Sequence, residues 1–251
     1  MPIDFPKTLE EVSKATVEGT VSVLNACKQT GVRRLILTSH YGAINMVDEL
    51  DRPDVFDEST WSDLEAENFQ HIHKSKTMAE KAAWDFVKTE YQALELVTLV
   101  PTLLVGPSLM TKRQNISGAF LTRMLKNQLP GMYRIMWGMV DVRDAARAHV
   151  AALTSETAVN QRIIIHNKSL WCRDIGLQLS SQFGSRFKFS TEEVKFCMMR
   201  FLGSFFKGED AEMTAYKSIW GKTQEYDNKK SRELLGMEYG DVGQSLKEQI
   251  E

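Results

Sequence analysis

Several features by which protein classes are recognised are scarce in this sequence. The 251 residues carry 31 Lys and Arg against 33 Asp and Glu, a formal net charge of -2 with the two signs interleaved along the chain. Because binding to a phosphate backbone needs a basic surface, this balance argues against a nucleic-acid partner. No apolar run reaches the length of a membrane span, and the first residues lack the basic flank and apolar core of a signal peptide. We therefore expect a cytoplasmic protein with no membrane partner.

Cysteine is also scarce. The three thiols, Cys27, Cys172 and Cys197, lie far apart and form no CxxC or Cys/His spacing. Zinc sites and disulfide frameworks need ligands or cysteines at paired spacings. The pattern favours reduced, mostly buried thiols over a disulfide or a metal site.

A glycine-rich phosphate loop is missing as well, since none of the 15 glycines forms a GxGxxG or GxxGxxG pattern. In dinucleotide-binding sheets such a loop lets the backbone approach the pyrophosphate at a helix N-terminus. We therefore expect this chain to bind a dinucleotide weakly or not at all.

What is present is the periodicity of an α/β protein. The apolar spacing predicts helices over 8–30, 74–90 and 142–153, and strands over 33–39, 94–100 and 162–166. We expect the first strand to be buried on both faces. Strand, helix, strand in that order implies right-handed crossovers between parallel strands. The predicted fold is a doubly wound parallel sheet with a small C-terminal lobe.

Several ordered motifs carry a family resemblance. They are VFDESTWSDLEAENFQHIHKSKTMAEKAAWDFVK at 55–88, VEGTVSVLNACKQTGVRRLILTS at 17–39, LVTLVPTLLVGP at 96–107, MVDVRDAARAHVAAL at 139–153 and DNKKSRELLGMEY at 227–239. Together they resemble the dihydroflavonol 4-reductase and cinnamoyl-CoA reductase group of extended short-chain dehydrogenases, within the NAD-dependent epimerase/dehydratase family.

The resemblance implies an architecture and a reaction type. Residues 1–168 would be the C-terminal part of an NAD(P)-binding Rossmann domain, and 169–251 mainly a substrate-binding lobe interleaved with 106–140. The chain would start after the family's fourth strand, so we expect an N-terminally truncated member with an incomplete sheet. Such proteins reduce small hydrophobic carbonyl compounds with NADP or NAD as cofactor. The open sheet edge would expose unpaired backbone and invite a protein partner.

The family's catalytic positions can be carried over one by one. A tyrosine four residues before a lysine donates the proton in this family, and a nearby serine or threonine polarises the carbonyl. Lys76 matches the lysine, but Ile72 stands at the tyrosine and His40 at the serine. His40 or His73 could replace the lost acid, because imidazole transfers protons near neutral pH. The alternative is that both are surface or loop histidines with no role.

Other positions have a functional and a structural interpretation side by side. By resemblance the cofactor would contact Lys76, Pro101, Thr102, Leu103 and Leu104, although an exposed lysine and a proline-terminated strand are ordinary structural features. Asp141 and Asp144 are interpreted as structural. The stretch Phe196–Phe206, with Trp220, indicates either a hydrophobic substrate pocket or plain core packing.

Two functions follow from these positions. The first is an NAD(P)H-dependent oxidoreductase of the aldehyde and ketone reductase type that is inactive as this chain. The second is a non-catalytic pseudoenzyme that serves as a binding or regulatory module, pairing its open sheet edge with another subunit.

Overall fold

The computed structural model describes residues 8–66, 71–108, 116–126, 128–129, 131–187, 191–196, 216 and 219–251. Its helices are α1 (Leu9–Thr30), α2 (His71–Thr89), α3 (Ile116–Leu125), α4 (Val142–Thr154), α5 (Cys172–Phe183), α6 (Lys229–Leu235) and α7 (Val242–Ile250). Its strands are β1 (Arg34–Thr38), β2 (Val55–Phe56), β3 (Glu95–Pro101), β4 (Leu103–Val105), β5 (Met136–Asp141), β6 (Arg162–Ile165), β7 (Lys168–Trp171) and β8 (Glu225–Tyr226). The predicted α/β class is confirmed.

The chain divides into two compact units. The first comprises Met1–Thr102, Asp144–His166 and Tyr226–Glu238, and the second comprises Leu103–Arg143, Asn167–Glu225 and Tyr239–Glu251. Tyr226–Glu238 thus groups with the first unit rather than with the residues just before it. Asn228 shows why, since its side-chain amide donates to the carbonyl oxygen of His166 at 2.9 Å. That the second unit covers a substrate stays a prediction.

A parallel sheet in the order β1-β3-β6 forms the centre of the first unit. Alternate side chains of a strand point to opposite faces. Leu35 and Leu37 of β1 pack in one apolar cluster with residues of α1 and α2. On the other face, Arg34 donates to the carbonyl oxygen of Leu153 at 2.9 Å, and Thr38 lies 2.7 Å from His149 Nε2, both in α4. Helices therefore cover both faces, as a doubly wound sheet requires.

Strand β1 departs from the prediction that it is buried on both faces. Its side chains are only partly buried, whereas β3 is buried along almost its whole length. In the part of the chain that the structure describes, β1 pairs with β3 alone and so lies at the sheet edge. An apolar run in the sequence indicates that the side chains of a strand are buried. It does not indicate how many strands pair with it, and a strand at the sheet edge is more exposed.

Two helices of the first unit begin close to where the sequence placed them. Thr8 caps α1 by accepting a hydrogen bond from the Glu11 N–H at 3.2 Å, and Gly31 ends the helix in the left-handed region at φ 71°. Helix α2 begins at His71, three residues before the predicted start at Lys74. The earlier start places Ile72 and His73 inside the first turn of α2.

The second unit holds its own sheet, in which β5 pairs parallel to β4 and antiparallel to β7. Trp220 packs against its apolar core, with its ring centroid 5.1 Å from that of Phe196. This favours core packing for these two residues, and the rest of the stretch Phe196–Phe206 lies outside the described residues. Cys27 and Cys172 are buried free thiols, as predicted, whereas Cys197 is not described.

Among the described residues, none of the helices combines the length and the hydrophobicity that a membrane span requires. No group of three or more His, Cys, Asp or Glu side chains within the same residues could hold a metal ion.

Candidate active site

Three aromatic rings meet where β1 ends and α2 begins. His40 follows β1 by two residues and starts a short 3-10 turn at Tyr41–Ala43. The His40 ring stacks on His73 of α2, with centroids 5.3 Å apart and planes 23° apart, and the Tyr41 ring lies 4.3 Å from His40. The carboxyl ends of parallel strands are where open α/β sheets bind ligands. The structure thus brings His40 and His73, which are far apart in sequence, to the expected edge.

Ile72 and Lys76 share one face of α2, because residues four apart on a helix lie one above the other. Both side chains are partly buried. Lys76 has no hydrogen-bond or ion-pair partner in the described part of the chain, so its ammonium is available. Ile72 contributes only its backbone carbonyl, which accepts from Ser75 Oγ at 2.9 Å. One turn before the lysine there is therefore no side-chain proton donor.

His40 is held in one orientation by the backbone that follows it. Its Nδ1 accepts a hydrogen bond from the Gly42 N–H at 2.9 Å. A Cβ at position 42 would lie 2.8 Å from that nitrogen and 2.3 Å from His73 Cδ2, so only glycine allows this approach. Burial lowers the pKa of His40 well below its usual value, and the charges of His73 and Lys76 lower it further. His40 is therefore neutral at neutral pH, which disfavours it as a replacement acid.

His73 is buried, not a surface residue, so that part of the alternative interpretation is wrong. Its side chain is 9% exposed, and its Nδ1 is enclosed without a hydrogen-bond partner. Burial lowers the pKa of His73 to about 4. Burial also raises the pKa of the neighbouring Tyr41 to about 12. All three rings thus stay uncharged around neutral pH.

A buried ion pair that the sequence interpretation missed lies beneath this site. Glu80 of α2 is 1% exposed and Arg162 of β6 is 7% exposed, with Arg162 Nε 2.7 Å from Glu80 Oε1. Glu80 also accepts hydrogen bonds from the hydroxyls of Ser39 and Thr98. The pair therefore connects α2 to β3, to β6 and to Ser39, the residue that follows β1.

Arg162 also fixes the loops around His40. Its guanidinium donates to the carbonyl oxygens of Ala43 at 3.1 Å, Glu58 at 3.1 Å and Thr60 at 2.6 Å. The Trp61 ring stacks on it with the guanidinium carbon 3.7 Å from the ring centroid. The sequence did contain one indication of this ion pair. Glu80 is a charged residue on the apolar face of a predicted helix, and a buried carboxylate needs a partner.

Comparison with known proteins identifies the lineage of this site. The profile of the NAD dependent epimerase/dehydratase family matches residues 6–165. The chain belongs to this family. The motif resemblance to its extended short-chain dehydrogenases is thereby confirmed.

Individual family members agree with this assignment. The chain is 33% identical over 161 residues to tetraketide alpha-pyrone reductase 1 of Arabidopsis thaliana, covering 63% of this chain and 49% of that protein. It is 34% identical over 157 residues to dihydroflavonol 4-reductase of the same plant, covering 59% and 40%. The chain thus spans about half or less of the length of these two relatives.

Solved structures of the family agree as well. Gre2 of Candida albicans in complex with NADPH superposes with a TM-score of 0.73 at 26% identity, covering 99% of this chain and 73% of that one. Vestitone reductase of alfalfa superposes with a TM-score of 0.72 at 25% identity, covering 99% and 72%.

The family's nicotinamide cofactor can be tested against the residues described. In the first unit, Lys76 offers an unpartnered ammonium that fits a ribose hydroxyl, whereas Pro101 and Thr102 are buried at the end of β3. Thr102 Oγ1 lies 3.3 Å from His166 Nδ1. In the second unit, Leu103 and Leu104 lie in β4, and Leu104 is exposed. The unpartnered ammonium of Lys76 is chemically compatible with a ribose hydroxyl, and that these five residues contact a cofactor stays a prediction.

Asp141 and Asp144 lie in different units and serve structure. Asp141 is buried, which opposes its ionisation, but hydrogen bonds from Arg143 and Ser245 outweigh burial and lower its pKa to about 2. Asp144 forms an ion pair with Arg147 at 2.5 Å on α4. Both carboxylates are held by neighbouring arginines, as the structural interpretation predicts for this family member.

Proposed function

We propose that this chain is a member of the NAD(P)H-dependent carbonyl reductase lineage that does not itself reduce carbonyl compounds. The observation that carries the proposal is Ile72, one helical turn before Lys76 on α2. Proteins named as reductases are its relatives, including Gre2 with bound NADPH. Reduction of a carbonyl compound with NADPH is therefore the reaction to test in this chain.

Reduction of a carbonyl needs a hydride at carbon and a proton at oxygen. A bound nicotinamide cofactor would supply the hydride, and Lys76 is the residue that would hold its ribose. A positioned general acid contributes about 10²–10⁴-fold to rate. Ile72 has no proton to give, and His40 is neutral. Burial raises the pKa of Tyr41 to about 12, which makes it a weaker acid than an ordinary tyrosine.

We expect the purified chain to oxidise no NADPH above the rate without protein when methylglyoxal or acetophenone is added. The absorbance of NADPH checks this directly. The matched control is Lys76→Met, which removes the ammonium that would contact the ribose and puts an apolar side chain of similar length in its place. Turnover by the natural chain that Lys76→Met abolishes would overturn the proposal. The double variant Ile72→Tyr, His40→Ser then shows whether restoring both hydroxyls restores activity.

A second candidate function is that of a binding module that uses the edge of β1. In the described residues this edge has no strand partner. Val150 and Leu153 are 66% and 56% exposed on α4, the helix whose residues contact Arg34 and Thr38 of β1. Unpaired strand backbone beside exposed apolar side chains is a template for strand addition. We propose a second copy of the chain as the partner.

The expected result is concentration-dependent dimerisation at micromolar protein in sedimentation velocity. Val150→Lys combined with Leu153→Lys should shift the protein to monomer, because two charges would have to be buried in the interface. Leu177→Lys is the control, since Leu177 is 43% exposed on α5 in the other unit. A monomeric natural chain, or equal association of all three proteins, would count against this function.

A further inference from the structure

The backbone of β1 alternates between groups that bond to β3 and groups that point out of the sheet. In a parallel pair, each strand turns the N–H and C=O groups of every second residue toward its neighbour. The Ser39 N–H donates to the carbonyl oxygen of Leu99 at 2.8 Å, so the odd-numbered residues of β1 face β3. The N–H and C=O groups of Arg34, Ile36 and Thr38 therefore point outward, along the open edge.

The opposite edge of the same sheet, along β6, is closed by side chains. Outward backbone groups of this strand, and of the residue that follows it, bond to polar side chains of other segments. Three such bonds are Ile164 N–H to Glu58 Oε1 at 2.9 Å, Lys230 Nζ to the Arg162 carbonyl oxygen at 3.4 Å, and Asn228 Nδ2 to the His166 carbonyl oxygen at 2.9 Å. Another strand could add to β6 only by displacing these side chains.

No comparable bonds close the edge of β1. Within the described part of the chain, the outward backbone groups of Arg34, Ile36 and Thr38 have no partner. Natural sheets block an edge with prolines or free charges. Strand β1 has no proline, and the guanidinium of Arg34 is held by Glu95 and Glu156 at 2.7 and 3.0 Å. The backbone of β1 is therefore open to strand addition, whereas that of β6 is not.

We infer that β1 pairs antiparallel with β1 of a second copy about a two-fold axis at Ile36, and that assembly stops at the dimer. This pairing rests on the second candidate function, the binding of another copy at the edge of β1, and specifies its register, symmetry and size. A two-fold contact uses the same surface on both copies. Because β6 is closed, the joined sheet has no open edge for a third copy.

The register follows from the spacing of the outward residues. With Ile36 opposite the partner's Ile36, Arg34 lies opposite the partner's Thr38. All three outward residues of each copy then face an outward residue, and each facing pair exchanges two backbone hydrogen bonds. A shift that sets Arg34 opposite the partner's Ile36 leaves Thr38 unpaired. A further shift sets Arg34 opposite the partner's Arg34, which like charges disfavour.

Sedimentation velocity and amide hydrogen exchange test this pairing on the natural chain. With rising concentration, the sedimenting mass should reach that of two chains and go no further. The amides of Arg34, Ile36 and Thr38 should exchange more slowly in the dimer than in dilute protein, by on the order of tenfold, because they gain acceptors. The amides of Leu35 and Leu37 face β3 and should keep their exchange rates.

Two cysteine variants locate the two-fold axis. Ile36→Cys should form a disulfide across it under copper phenanthroline, because directly opposed residues have Cα atoms about 5.5 Å apart, within disulfide range. Thr38→Cys is the matched control, on the same face of β1 and more exposed. Its Cα would lie roughly 14 Å from the same position of the partner, so we expect at least about fivefold less cross-linked dimer on non-reducing gels. The natural chain gives the background from Cys27, Cys172 and Cys197.

The outcomes separate this pairing from the candidate function on which it rests. A dimer in which Thr38→Cys cross-links as strongly as Ile36→Cys would overturn the register alone. A dimer in which the Ile36 amide of the natural chain gains no protection would do the same, even if a variant failed to fold. Growth beyond two chains would overturn the closure at β6. A chain that stays monomeric at every concentration would overturn both the pairing and the second candidate function.

Discussion

Replacing Arg162 with methionine is expected to lower the free energy of unfolding by about 3–5 kcal/mol, because one partner of a buried ion pair is lost and the other stays buried. Glu80 would remain 1% exposed with its charge uncompensated. The carbonyl oxygens of Ala43, Glu58 and Thr60 would lose their donor at the same time. Methionine is apolar and of similar length, so the change is dominated by charge and hydrogen bonding.

Urea unfolding followed by circular dichroism measures this effect, and the chain offers a matched control. Arg33 is an arginine just before β1 whose side chain is 73% exposed, with its Nε 3.9 Å from Glu95 Oε1. Arg33→Met should change the free energy of unfolding by less than about 1 kcal/mol, as exposed pairs do. Adding Glu80→Leu to Arg162→Met should recover part of the loss, because no buried charge remains. Equal effects of Arg162→Met and Arg33→Met would show that the buried pair does not hold the fold.

The elements of the first unit could be predicted because their signals are local. Thr8 and Gly31 mark the ends of α1 by their own chemistry, and the apolar run of β3 lies in the middle of the sheet. The exposure of β1 could not be predicted, since it depends on how many strands flank it. The early start of α2 was missed because polar residues in a first turn interrupt the apolar periodicity.

The connections of the candidate site could not be predicted. The structure places Ile72 and Lys76 one helical turn apart on α2 and His40 just after β1, and the roles that motif spacing suggests for these three residues stay predictions. The partner of Glu80 is 82 residues away at Arg162, and no local pattern links the two. The tautomer of His40 depends on the backbone N–H of Gly42, which donates to His40 Nδ1. This contact exists only in the folded turn, so the sequence alone does not show it.

Three histidines with lowered pKa values should make stability fall steeply as pH falls below about 6.5. Burial lowers the pKa of His73 to about 4 and that of His166 to about 4, and it lowers the pKa of His40 well below its usual value. In the unfolded chain all three pKa values return to about 6.5, so below this pH the unfolded state binds more protons. Their contribution is therefore fully present above pH 6.5 and is lost as pH falls toward the folded-state values. From pH 7 to pH 5 we expect His73 and His166 together to cost about 3–4 kcal/mol of unfolding free energy, and His40 to add to that loss.

Other titrating groups contribute less than the histidines to the change in unfolding free energy between pH 7 and pH 5. The pKa of Asp141 is about 2, so its contribution is lost only at more acid pH. Burial raises the pKa of Glu58, which opposes the trend in part. His73→Leu should remove about 2 kcal/mol of the loss between pH 7 and pH 5 in urea titrations, because one of the three rings with a lowered pKa no longer titrates. His71→Leu, an exposed position at the start of the same helix, is the control. If the unfolding free energies of His73→Leu and His71→Leu depend on pH in the same way, protonation of His73 does not destabilise the fold. The fold would then not require the His73 ring, on which His40 stacks, to stay neutral.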